Sequence, residues 1–525
     1  MDTRNTSARE GSQRELVEAM AAPGFYPNAP SEVIHKETHI SHVFLAGDLA
    51  YKVKKAVRFS FLDYSSLDKR LHFLSEELRL NRRLAPSVYR GIAPITLERS
   101  GYRLNGSGAP VEYALVMRRL PESRLLSALI ESGELDSEMM RSLAVVLARF
   151  HAGAEKADEV DPATYPDTVA SQWRENTDDL RSLALPPRDR ESLGIFESFG
   201  REFIERYRAL FRRRAAEGWI RDVHGDLHCE HVCFAPEGIQ IYDCIEFSPK
   251  LRRCDLASEI GFLLMDVDVR GAGGFAPDFL DAYLDRMKDS DLPKLLPFYQ
   301  CYRALVRAKV EAMRAPAADA GRSRYFGAAV RFMWNSFKPF VVLVGGLTGS
   351  GKSTLARALG ERMGVPVINS DAVRKSIAGG AGETIVPFEA GIYSREMTEA
   401  TYAAMLEKAE KELGAGNGVI LDATFGRRVD RERVRGLAKR YSAPLTIIHC
   451  LASERSTKAR LARRGAEGRD ISDGRWEIYV RQKEIFEPLT EDDARACLEL
   501  NTEAAPEALA RAAEAFIMDR VRRSG

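Results

Sequence analysis

Apolar residues in the second half of the chain come in short unbroken runs, each closed by small or acidic residues. Val341-Val-Leu-Val-Gly345 predicts a buried strand, and Leu355, Leu359 and Met363 behind it fall on one helical face. Val365–Asp371, Val419–Thr424, Leu445–Leu451 and the weaker Cys497–Leu500 read as further strands, so the pattern alternates strand with helix. Such alternation predicts a parallel sheet covered by helices on both faces.

The first half is patterned differently. His42–Leu45 and Leu49–Lys54 flank Gly47-Asp48, a hairpin signal, with Lys52 and Lys54 on one strand face. Leu67, Leu71, Leu74 and Leu78 mark an amphipathic helix that carries Glu76 and Glu77. Ile239-Gln-Ile-Tyr is a short hydrophobic strand ending in Asp243. A soft stretch, Ala315-Pro-Ala-Ala-Asp-Ala-Gly-Arg322, precedes an aromatic segment, which places the domain junction near residue 337. The expected domains are 15–336, with a small lobe to about residue 120, and 337–525.

Between the first of the unbroken strands and its helix, Gly346, Gly351, Lys352 and Ser353 satisfy G-x-x-x-x-G-K-[ST]. Glycine lets backbone N–H groups of Gly346, Gly349, Ser350 and Gly351 curl round phosphate oxygens; Thr354 completes the nucleotide-binding stretch, and the following helix aims its positive end at the phosphates. Lys352 reaches the β/γ-phosphates and Ser353 holds Mg²⁺, so ATP and Mg²⁺ are the expected ligands. Asp371, one helical turn from Arg374, reads either as a base for an acceptor hydroxyl or as a helix cap. Asp422 at a strand end reads as an organiser of Mg²⁺ or, again, as a cap. The glycine-interrupted arginine run Arg460–Asp473 suits a lid in which Arg464 and Arg469 offset charge on a transferring phosphoryl group; solvated helix faces carry similar clusters.

In the first half, His224-Gly-Asp226-Leu-His228-Cys-Glu-His231 precedes Tyr242-Asp243. Two acids 17 positions apart, the second ending a strand, suit metal-assisted phosphoryl transfer. The competing readings are a zinc site built from His224, His228, Cys229, His231 and Cys233, or Asp226 as a plain turn residue.

Two resemblances attach to these motifs. Gly346–Thr354, Ser370-Asp371-Ala-Val-Arg374, Leu421-Asp422-Ala-Thr424 and the Arg463–Arg469 segment resemble the small P-loop kinases of the zeta-toxin, polynucleotide-kinase and gluconate-kinase group, often termed AAA-type. Residues 15–330 resemble the aminoglycoside-phosphotransferase family, relatives of protein kinases. That resemblance implies an α+β kinase-like fold ahead of an α/β P-loop fold. It implies Asp226 as catalytic Asp, Asp243 as metal ligand, Lys52 as phosphate lysine paired with Glu77, Met117 in the adenine hinge, and Asp255 as a structural acid. Where the family has a metal-binding Asn, this chain has His231, a poorer ligand for hard Mg²⁺.

Composition changes this picture little. The charge balance, 77 Lys+Arg against 76 Asp+Glu, argues against extensive nucleic-acid contact. No apolar run reaches membrane-spanning length, the first residues lack a signal-peptide core, and seven cysteines look like reduced thiols, so the expectation is a cytoplasmic protein. The expected activity is ATP-dependent transfer to the hydroxyl of a small metabolite by the P-loop domain. A regulatory ATP-binding protein gated by the first domain, or a polynucleotide 5′-kinase, stands as the alternative. Acceptor identity and oligomeric state have no local signature.

Overall fold

The computed structural model describes residues 13–59, 62–314, 319–337, 339–378, 394–467 and 476–524. The chain forms two compact units that divide between Ala328 and Ala329. The division falls inside the helix Asp319–Asn335, ahead of the junction read from the sequence near 337.

The first unit opens with an antiparallel sheet of β1 (Val33–Glu37), β2 (Ser41–Ala46), β3 (Leu49–Lys54), β4 (Tyr89–Glu98), β5 (Gly101–Leu104) and β6 (Pro110–Arg118), in the order β1-β2-β3-β6-β4-β5. Ala46 pairs with Leu49, so Gly47-Asp48 forms the two-residue hairpin loop, with Gly47 at φ 62°. Tyr51 and Val53 on one face of β3 enter a core with Phe44, Ile95 and Ala114. Lys52 and Lys54 therefore face the opposite side, toward α1 (Leu67–Asn81).

Helix α1 is capped by Ser66, whose side chain accepts from Lys69 N. Its buried residues are Arg70, Leu74, Glu77, Leu80 and Asn81, while Leu67, Leu71 and Leu78 are half-buried. Much of its inner face is thus polar and must find partners. Arg70 does so on Glu112 of β6, and Glu77 on the lysines of β3.

The larger part of this unit is helical. Its main helices are α2 (Ser137–Gly153), α3 (Tyr165–Ser182), α4 (Leu256–Val269) and α5 (Leu292–Arg314), and it also carries the small β7 (Val232–Ala235)–β8 (Gly238–Ile241) hairpin. Helix α4 is buried on nearly every side.

The second unit is a five-stranded parallel sheet. Its strands are β9 (Val341–Gly345), β10 (Val367–Asn369), β11 (Val419–Asp422), β12 (Leu445–Leu451) and β13 (Cys497–Asn501), in the order β10-β11-β9-β12-β13. The central β9 is fully buried, the expected result for a strand covered on both faces. Val341, Leu343, Leu421 and Ile447 share one core, each contributing about 1.5–3 kcal/mol by burial. Helix α6 (Lys352–Met363) leaves the carboxyl end of β9, and α7 (Ser370–Ile377) leaves β10. Helices α8 (Glu454–Glu467) and α9 (Trp476–Ile485) lie between β12 and β13 in the chain. No helix among the described residues is long and apolar enough to cross a membrane.

Candidate functional sites

In the second unit the loop between β9 and α6 requires backbone that only glycine adopts without strain. Gly346 sits at φ 142°, and a Cβ there would lie 2.5 Å from Cys450 O. Gly351, at φ 88°, turns the chain into α6. Gly349 and Ser350 are buried, Gly351, Lys352 and Ser353 half-buried, and Thr354 exposed on the first turn. The loop is braced from behind. Arg460 of α8 donates to Gly349 O at 3.3 Å and to Thr502 O at 2.6 Å, and Thr502 Oγ1 donates to Ser350 O at 2.5 Å. Thr348 N donates to Gln482 Oε1 of α9 at 2.8 Å.

Next to this loop, Asp422 at the end of β11 is buried. Its Oδ2 accepts from Asn369 Nδ2 at 2.6 Å, and its Oδ1 is buried without a hydrogen-bond partner. Burial raises the Asp422 carboxyl, partly opposed by the positive charge of Lys352. A buried carboxylate oxygen lacking a partner, beside a lysine and the Ser353 hydroxyl, fits a divalent cation. Asn369, not Asp371, caps α7, accepting from Ala372 N at 2.9 Å. Asp371 is thereby free of the cap role and accepts from Arg374 Nη1 at 2.7 Å, at the sheet's carboxyl edge. Of the lid residues, the Arg464 side chain and Arg469 lie outside the described residues.

The first unit gathers its charged residues from distant parts of the chain. Lys52 Nζ donates to Glu77 Oε1 at 2.7 Å and to Asp243 Oδ1 at 2.6 Å. Lys54, wholly buried, donates to Glu77 Oε2 at 2.8 Å and also pairs with Glu246, which accepts from Tyr64 OH at 2.6 Å. Glu76, by contrast, is a surface residue bonded to Arg79. Burial works to strip the Lys52 proton, but Asp243, Glu77 and Glu246 outweigh it and push its pKa well up. Asp243 is held below the ordinary carboxylate range: burial opposes this, and the Lys52 ammonium prevails. Asp243 has φ 64°, uncommon for a residue with a side chain.

The loop that bears Asp226 is held from beneath. Glu259 of α4 accepts from His224 N at 2.8 Å and from Gly225 N at 3.0 Å. Asp266, two turns along α4, accepts from Cys229 N at 3.0 Å. Arg252 clamps Asp222 through two bonds of 2.7 and 2.9 Å, and Arg83 joins at 2.9 Å. Asp226 itself points into the cleft, about a third of its side chain exposed (38%). Burial raises its carboxyl, but His228 beside it holds it below the ordinary range. Met117 lies near the end of β6, paired with Ala50 and packed toward Leu74 and Tyr89, where the small sheet leads into the helical part. Asp255 is bound by Arg214 at 2.7 Å in a fully buried pair with Asp289 alongside, a structural role.

The five-residue zinc reading does not describe this geometry. The ligand atoms that come together are those of Asp226, His228 and His231, within 4.8 Å of one another, and neither cysteine joins them. All seven cysteines are free.

Sequence reasoning missed Glu259, Asp266, Arg252 and Gln482. Glu259 and Asp266 stand in an apolar helix, where two acids that cannot face water are themselves a signal.

A kinase-like antiparallel sheet with a lysine–glutamate pair, followed by a P-loop on a parallel sheet, defines a chain with two kinase-type units. Residues 29–298, more than half the chain, match the phosphotransferase enzyme family, and residues 341–489 match an AAA domain. The chain belongs to the phosphotransferase enzyme family. An uncharacterized protein of Mycobacterium tuberculosis is 34% identical over 424 residues, 80% of this chain and 83% of that protein. A shikimate kinase of Ruegeria pomeroyi is 34% identical over 108 residues, 21% of this chain and 53% of that enzyme. Among solved structures, a gluconokinase from Sinorhizobium meliloti 1021 aligns at TM-score 0.27 and 19% identity, over 36% of this chain and 95% of its own.

Proposed function

We propose that the chain is an ATP-dependent kinase with a nucleotide site in each unit, and that the P-loop unit phosphorylates the hydroxyl of a small metabolite. The observation that carries this is Asp422 Oδ1, a buried, partnerless carboxylate oxygen beside Lys352 in a P-loop unit. The similarity of a 108-residue stretch to a shikimate kinase supports a small hydroxylated acceptor.

In the second unit, the loop amides and the N-terminus of α6 hold the phosphates, and Lys352 offsets their charge. Ser353 and Asp422 would hold Mg²⁺, which when bound neutralises phosphate charge. Asp371 takes the proton of the acceptor hydroxyl as that oxygen bonds to the γ-phosphorus and the bond to ADP breaks. Arg374 orients Asp371 and holds the acceptor.

In the first unit, Glu77 fixes Lys52 against the phosphates while Met117 borders the adenine. Asp243 and His231 would hold the ion, and Asp226, kept ionised, accepts a hydroxyl proton. The protein would act on soluble substrates, in keeping with a cytoplasmic enzyme.

The test follows γ-labelled phosphate from ATP into a cytosolic metabolite extract with wild type, Lys352→Ala and Asp226→Ala. A product lost with Lys352→Ala is expected, and a second product lost with Asp226→Ala. No labelled small molecule from wild type would overturn the reading.

A further inference from the structure

The three histidines around Asp226 carry their protons on different nitrogens, and the difference selects one of them as a metal ligand. His231 Nδ1 lies 2.9 Å from Asp226 O, a carbonyl that can only accept, so Nδ1 holds the ring proton. Its Nε2 is then an open lone pair. That lone pair faces Asp243 Oδ2 at 3.7 Å, too far for a hydrogen bond. Two acceptors that face each other across this gap suit a shared cation, and the gap is near the span of two ligands on one ion with bonds of about 2.1 Å.

The other two rings are set the opposite way. His228 Nδ1 accepts from Glu230 N at 3.4 Å, so its Nε2 carries the proton and turns it toward Asp226 Oδ2 at 3.6 Å. His224 Nδ1 accepts from Asp226 N at 3.3 Å, and Nε2 donates to Tyr242 O at 2.8 Å. Only His231 offers nitrogen to the cleft. Asp243 is oriented to meet it, because Lys52 holds Oδ1 at 2.6 Å and leaves Oδ2 turned to the ring.

Resting on the reading of this cleft as a nucleotide site, we infer that its ion position is a mixed nitrogen–oxygen site that takes Mn²⁺ in preference to Mg²⁺. The ligands are His231 Nε2 and the Asp243 carboxylate. Imidazole suits borderline transition ions, whereas Mg²⁺ prefers oxygen alone. The ring's proton on Nδ1, bonded to a backbone carbonyl, is the outer support that fixes a ligating histidine.

The test uses the full chain carrying Lys352→Ala, with Mn²⁺ and ATP, read by pulsed electron paramagnetic resonance. One ¹⁴N coupling is expected, lost in His231→Asn and retained in His228→Gln. His231→Asn should also lower the Mg²⁺ excess needed to displace Mn²⁺ by about tenfold. Mn·ATP bound in a Lys52-dependent manner with no nitrogen coupling overturns the inference and leaves the nucleotide site standing. Coupling to two nitrogens, lost in His228→Gln, moves the ion onto the Asp226–His228–His231 group and overturns the ligand assignment. Absence of Lys52-dependent nucleotide binding overturns the nucleotide site, and the inference with it.

Discussion

Asn369 Nδ2 donates to Asp422 Oδ2 at 2.6 Å, which steadies a buried carboxylate while leaving its other oxygen without a partner. A buried carboxylate with one oxygen left over weakens the protein until a cation arrives, even with Lys352 nearby. Asp422→Asn is expected to raise the melting temperature of the second unit without added metal, and to remove the further rise that Mg²⁺ and ATP give wild type. Turnover at the P-loop site should fall by at least about a hundredfold, the scale of losing one charge-stabilising group. A variant that melts lower and retains its response to Mg²⁺ would count against a cation at Asp422.

Lys54 presents a different kind of buried charge. It bridges Glu77 and Glu246, and its side chain has no exposed surface (0%). Lys54→Met leaves Glu77 with Lys52 alone and strands Glu246, which keeps only the Tyr64 hydroxyl, at a cost of about 3–5 kcal/mol. Urea unfolding should show loss of the first unit at lower denaturant, with the P-loop unit unchanged. Replacing Lys54 and Glu246 together by Met and Gln should restore part of the loss. An unchanged midpoint in the single variant would refute the bridge.

Gly346→Ala tests the P-loop backbone. The added Cβ would meet Cys450 O at 2.5 Å in a conformation L-residues avoid, a strain of about 1–3 kcal/mol. Nucleotide binding to the second unit is expected to be lost while binding to the first persists, as titration with a non-hydrolysable ATP analogue would record.

Acid sensitivity follows from Asp222. Burial raises its carboxyl, but Arg252 and then Arg83 outweigh it, so the folded value lies below the unfolded one of about 3.9. A depressed acid contributes stability that is complete above the unfolded value and disappears as pH falls through the folded one. Asp222→Asn should therefore be less stable at pH 7 and lose less on going from pH 5 to pH 3. Parallel stability curves for the two proteins would contradict this.

What could be read from the sequence was written in neighbouring residues. Gly346 to Ser353 and the Gly47-Asp48 hairpin are local patterns, and their geometry follows from the chain itself. Alternating apolar runs likewise implied the parallel sheet. Helix α1 was legible as a helix but not in its facing, because hydrophobic periodicity follows leucines, whereas the buried face carries Arg70, Glu77 and Asn81. Glu246 was out of reach for another reason: its partner Lys54 stands 192 positions away, and the hydrogen bonds of Glu259 to the Asp226 loop span 34 and 35. Asn369 took the capping role that Asp371 could have filled, a choice made by two residues of register at the strand end. The proton positions on His224, His228 and His231 depend on which backbone groups surround each ring, which no spacing encodes.

On this reading each unit holds its own nucleotide. Equilibrium titration of the full chain with a non-hydrolysable ATP analogue and divalent ion tests it most directly, run on wild type, Lys52→Ala, Lys352→Ala and the double variant. Two sites in wild type, one in each single variant and none in the double are predicted. A single site in wild type, or loss of all binding with Lys352→Ala alone, would contradict it.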